Sequence, residues 1–381
     1  MYQLTRFLYE LPEVKGNLIM ALLNKDSKEA LFWAFEYYYS GYPSETTNFI
    51  IQIYYDYYYV LNPTFEKYMF IQLKKVTLEN ENEELALFIK LIIDNLIIRP
   101  YTLDTFMLRN MGLQFEINFD EIEEVNKEII SSLMEQENYV YLSTLLMQCE
   151  KYRDVKELEE LHSEIIDKMG SHIKINKNVK MKETNALIGN CYKEEFILKR
   201  TIILAKIINY YSIKENQKMN RSVYIENDIE KQKEELCKYK TQYPAKLKED
   251  TKYATNTNEF IGIFQLERFK EENKTYRDNY LKNWEYYAYD TPYWMNRFAL
   301  YEGNKDEEQK RIIYEDEEKE NEFYEDMDYF PDESSKETQD KSIGKIEKVS
   351  NLNEFYCKYG GRNVIKIEEE EIVDLDLIVV Y

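Results

Sequence analysis

The sequence predicts a mainly α protein of stacked antiparallel helical hairpins, HEAT-like, with a smaller α+β C-terminal region. Three observations carry this. Glycine (10) and proline (7) are scarce in 381 residues, which suits helices and disfavours turn-rich β folds. Apolar residues recur at helical spacing, as in Ile50, Ile53, Tyr54, Tyr57 and Leu61. Punctuation between such runs is tight, so helix pairs recur roughly every 35–45 residues, the scale of helical-hairpin repeats. No repeated signature accompanies that spacing, so a compact irregular helical domain competes with the solenoid.

The elements follow in order. Pro12 suits a first helical turn and leads into 13–25. Asp26 caps the next helix, with Glu29 three residues on, and Gly41–Pro43 stops it. Ser44 is expected to cap a helix that ends at Asn62–Pro63, and another then runs to about 79. Residues 83–98 are closed by Pro100, and helices are expected at 102–111, 120–135, 138–149, 153–169 and 192–212. These make a domain over 1–212. A charged connector, 213–260, holds one exposed helix. The C-terminal region, 261–381, begins with two short helices broken at Thr291–Pro292, then a strand-like RIIYE. Glu315–Asp340 carries thirteen acids against two bases, half of the chain's net −22. The stretch 315–348 is therefore expected to be partly disordered. NVIKI and LDLIVVY read as two closing strands.

Composition excludes several function classes. A net charge of −22 opposes nonspecific binding to nucleic acid or anionic membrane. The longest apolar run, Leu85–Ile98, holds Lys90 and Asp94 and is too short to span a bilayer. No signal peptide is legible at the N-terminus. Four scattered cysteines read as reduced thiols, which together with these features predicts an intracellular protein. Two histidines without acidic or cysteine neighbours at ligand spacing predict no metal site, and no catalytic motif or cofactor loop occurs. Asp326/Asp328 and Asp374/Asp376 read as solvated carboxylates rather than a Mg²⁺ site.

Binding candidates remain. Residues 171–252 carry a net +7 in an acidic chain, with Lys174, Lys177, Lys180, Lys182, Lys199 and Arg200 as the RNA-contact set. Tyr141, Leu146 and Met147 fit Tyr-x4-Leu-apolar, the spacing of a short helix that docks on a cap-binding factor, although helix periodicity produces such matches readily. Between Glu36 and Pro63 lie nine tyrosines. Tyr38, Tyr54 and Tyr57 belong to the packed stripe, whereas Tyr37, Tyr55 and Tyr59 fall near outward faces. A neighbouring helix pair or a partner protein would cover them. Base stacking ranks last, since no lysine or arginine lies between Ser40 and Glu66. Trp284 and Trp294, with Tyr293 and Arg297, form a further docking candidate whose other reading is core packing.

Two blocks, EALFWAFEYYYSGY…IYYDYYYVLNPTFEKY (29–68) and NWEYYAYDTPYWMNRFALYEG…RIIYEDEEKENEFYEDMDYFPDE (283–333), resemble uncharacterised proteins of large nucleocytoplasmic DNA viruses. Some members of that family look like the helical scaffold subunit of the cap-binding translation initiation complex. The resemblance implies a non-enzymatic viral scaffold in the host cytoplasm or viral factory, with a cap-binding factor or RNA helicase as partner. In that family the Tyr-x4-Leu helix lies in a flexible segment, whereas here it falls inside the helical domain. A structural or packaging protein of the virion is the alternative.

Overall fold

The structure, a computed structural model, describes residues 4–76, 81–114, 127–148, 160, 196–212, 224–225, 228–240, 283–327 and 352–367. It is mainly helical, with one small antiparallel sheet in the C-terminal region. α1 (Leu11–Leu23) starts with proline in its first turn, as expected. α2 (Ser27–Tyr39) is capped by Asp26, whose carboxylate accepts from the Glu29 amide at 3.0 Å. Gly41 ends this hairpin with φ +101°. α3 (Pro43–Ile53) carries its proline in the first turn after Tyr42, so Ser44 lies inside the helix rather than capping it.

The chain then widens. Tyr54–Tyr58 form a π turn, and all five side chains are buried. α4 (Phe65–Leu73), α5 (Glu81–Ile97), α6 (Asp104–Gln114), α7 (Lys127–Glu135), α8 (Tyr139–Gln148) and α9 (Phe196–Ser212) follow. α1 and α2 pack as a hairpin, α5 lies against α2 and α3, and α6 lies against α8, α9 and the π turn. Gly112 permits the α6–α8 approach: a Cβ there would stand 2.4 Å from Ser143 Oγ.

α10 (Ile229–Lys240), expected as an exposed connector helix, packs on α2 and α5 through Leu236, and Lys90 Nζ bonds Glu235 at 3.0 Å. The segment around Leu4–Glu10 crosses in the other direction. Leu4 and Leu8 complete a second apolar cluster with Trp284, Trp294, Phe298, Ile312 and Phe323. Through this cluster the N-terminal segment packs against the C-terminal region.

The C-terminal region contains α11 (Trp284–Ala288), α12 (Pro292–Leu300), β1 (Asn304–Asp306), β2 (Arg311–Ile313), α13 (Glu317–Met327) and α14 (Leu352–Tyr359). β1 and β2 pair antiparallel, with Lys305 opposite Ile312. Residues 317–327 of the acidic run are helical. Phe323 is fully buried and stacks on Phe298 at 5.0 Å, which anchors α13 despite its charge. No strand forms over 364–367, where Ile365 and Ile367 dip instead into the main core. LDLIVVY and the helix expected at 153–169 lie outside the described residues, apart from the single helical position 160.

Candidate protein-docking surface

α12 has two chemically different faces, set by 100° per residue. Thr291 and α12's Trp294 and Phe298 point inward. Trp294 Nε1 donates to Thr5 O at 3.0 Å and Thr291 Oγ1 to Leu4 O at 2.6 Å. The Tyr293 amide donates to Ser40 O at 3.2 Å. These bonds pin the C-terminal region to the α2–α3 turn, where a Cβ on Gly41 would stand 2.5 Å from Pro292 Cβ. Only glycine fits that approach.

Tyr293, Asn296, Arg297 and Leu300 fall within a stripe roughly 100° wide on the opposite face. Leu300 is 74% exposed. Arg297 lies over the Tyr293 ring, its guanidinium carbon 3.4 Å from the centroid, and Nη1 donates to Tyr293 O at 3.1 Å. No carboxylate among the described residues pairs with Arg297. Burial presses its pKa down, which Tyr293 partly offsets. Nearby Arg6 is already committed to buried Glu36 at 3.0 Å. Met295 and Ile313 are also exposed, so three of the six exposed large apolar side chains of the described residues lie within 295–313.

α13 borders this surface. Tyr301 OH, just beyond Leu300, bonds the Asp326 carboxylate. Glu317, Glu318, Glu320, Glu322, Glu325 and Asp326 are exposed on α13, with Lys319 its only base. The arrangement is a half-buried cation–π pair beside one exposed apolar side chain, Leu300, with the carboxylates of α13 adjoining.

The sequence-derived candidates fare unevenly. Trp284 (3% exposed) and Trp294 (0%) are core residues meeting edge to face at 5.1 Å, so they present no surface themselves. Tyr293 and Arg297 of that set do reach the surface. Tyr37, Tyr55 and Tyr59 are buried, which fits cover by neighbouring helices and leaves no surface for a partner. Tyr55 donates to Glu66 at 2.6 Å and packs on Tyr59 at 5.4 Å, and every side chain from Ile53 to Val60 is buried, so neighbouring elements cover all faces of this segment. The Tyr-x4-Leu match is likewise internal: Tyr141 is half-buried, while Leu146 and Met147 face α8's packed side. No partner can read those two side chains without unpacking the helix.

Of the RNA set, Arg200 is buried and donates to Met147 O, so it is a packing residue. Lys199 is half-buried. Lys174, Lys177, Lys180 and Lys182 lie outside the described residues. Lys206, from the same basic block, is spent internally on Glu66 at 3.2 Å.

No metal-binding group of histidine, cysteine or acidic residues occurs among the described residues, nor a helix long and apolar enough to cross a membrane. No known protein family, curated protein or solved structure matches the chain.

Proposed function

We propose that the protein is a non-enzymatic scaffold that captures a basic protein partner on the outer face of α12 and the adjoining α13. Exposed Leu300, beside the Tyr293–Arg297 pair and the α13 carboxylates, carries this reading. An apolar side chain of the partner would anchor on Leu300. Its basic groups would meet the acidic rim, which steers association more than it adds affinity. Proteins that handle RNA present such basic surfaces.

The helical bundle, clamped to the module through Thr5, Leu4 and Ser40, supplies the rigid support that a scaffold needs. The resemblance to viral scaffold-like proteins points to translation initiation, with the cap-binding factor or RNA helicase as occupant and co-localisation as mechanism.

The test is affinity purification of the full chain from infected cells, alongside Leu300→Asp. Recovery of initiation factors that drops at least tenfold with the variant supports the reading. Equal recovery with both proteins overturns it, and capsid components in place of initiation factors overturn it in favour of the virion alternative.

A further inference from the structure

Tyr224 and Ile225 cross α4 and α5 shortly before α10 begins, and they show what that pair of helices can read. Asn95, near the end of α5, is fully buried, and its side-chain amide makes four hydrogen bonds, its full capacity. Two serve its own helix: Nδ2 donates to Leu91 O at 2.9 Å, and Oδ1 accepts from Arg99 Nη1 at 3.1 Å. The other two take the backbone of Ile225. Nδ2 donates to its carbonyl at 3.2 Å, and Oδ1 accepts from its amide at 3.0 Å. Leu91 and Arg99 thus hold the amide in the orientation that pairs with a peptide unit. A pairing made to main-chain groups alone accepts any side chain at that position, as a strand partner would.

Selectivity comes from the preceding residue. The Tyr224 ring stacks on Tyr68 of α4 at 4.3 Å with the planes 14° apart, and Phe65 lies 6.2 Å away. The Arg99 guanidinium carbon is 5.6 Å from the Tyr224 centroid and 4.0 Å from that of Phe65. Tyr68 OH also reaches the Ile225 carbonyl, at 3.5 Å. An aromatic ring with an extended backbone after it therefore meets a slot of matching chemistry. Tyr224 and Ile225 are both half-buried. α10 has its own anchors on α2 and α5, buried Leu236 and the Lys90–Glu235 bond at 3.0 Å. Vacating the slot breaks neither of them.

We propose that Asn95, Phe65, Tyr68 and Arg99 form a recognition slot for an extended aromatic–aliphatic peptide, which the chain fills with its own Tyr224–Ile225 until a partner protein's segment of the same chemistry replaces it. The tethered copy competes at high effective concentration, so a free peptide enters readily only when the chain's own segment is weakened. This site is separate from the α12 face, and Leu300 takes no part in it.

The probe is a fluorescent synthetic peptide with the sequence of Ser222–Asp228, titrated into the full chain and followed by anisotropy. Tyr224→Ala and Ile225→Pro weaken the chain's own segment by separate routes, the first removing the ring and the second the amide donor. Either variant, with a native unfolding midpoint, should bind the probe with a dissociation constant below about 1 mM, and adding Asn95→Ala should weaken binding about tenfold or more. In the unaltered chain, millimolar probe should lower the hydrogen-exchange protection of the Ile225 amide, a readout that needs no variant. No binding to either variant, binding indifferent to Asn95→Ala, or Ile225 protection indifferent to the probe would overturn the proposal.

Discussion

Arg109 grips Asp56 with two parallel hydrogen bonds, Nε to Oδ1 and Nη2 to Oδ2, both 3.0 Å long. Both side chains are buried, and the pair joins α6 to the middle of the π turn. Asp56 holds the guanidinium's pKa up against the burial that opposes its charge. A buried pair contributes little net stability but is costly to break. Arg109→Met, leaving Asp56 alone, should destabilise the chain by about 3–5 kcal/mol in urea unfolding. The double variant with Asp56→Leu should recover a large part of that loss.

Tyr55 belongs to a second buried network, in which Glu66 accepts its hydroxyl at 2.6 Å and pairs with Lys206 at 3.2 Å. Tyr55→Phe keeps the ring and removes one charge-assisted bond. Its expected cost is about 1–3 kcal/mol, read as a shift in the denaturation midpoint without a change in slope.

Gly112→Ala tests the α6–α8 contact. The added methyl meets Ser143 Oγ at 2.4 Å and Ser143 backbone atoms at 2.7 and 2.8 Å, and backbone cannot swing aside. A loss of about 1–3 kcal/mol is expected on thermal unfolding.

Lys25 supplies a pH signature. Its amine donates to Arg99 O at 2.5 Å and Leu96 O at 3.3 Å, and burial brings its pKa down to about 8 from 10.5. Between these values the unfolded chain holds more protons than the folded one, so stability rises with pH in that window. Unfolding free energy measured at pH 7.5 and pH 10 should show this rise in the native protein, relative to Lys25→Met.

Much of the fold is legible in local chemistry. The Asp26 cap, the early prolines of α1 and α12, and the glycine at 41 act through their nearest neighbours, and each boundary falls close to its signal. The π turn is not legible, because one inserted residue changes the phase without changing composition. Nor does periodicity alone say that Tyr55 and Tyr59, off the apolar stripe, are covered by neighbouring elements. α13 was hidden by its charge, since a single Phe323 anchors it through a distant aromatic cluster. The candidate docking face was half visible. Composition marks the aromatics of 284–297, but only the tertiary bonds of Trp294 and Thr291 decide that Trp294 faces in, which leaves Arg297 half-buried at the margin.

The outer face of α12 is proposed above to receive a basic partner. Titration of purified full-length chain with purified initiation helicase and cap-binding factor, compared with Leu300→Asp and Arg297→Ala, tests it most directly. One factor should bind with a dissociation constant in the micromolar range or tighter, weakened about tenfold or more by either substitution, while both variants keep the native unfolding midpoint. Binding unchanged by both substitutions, or no binding of either factor, would contradict it.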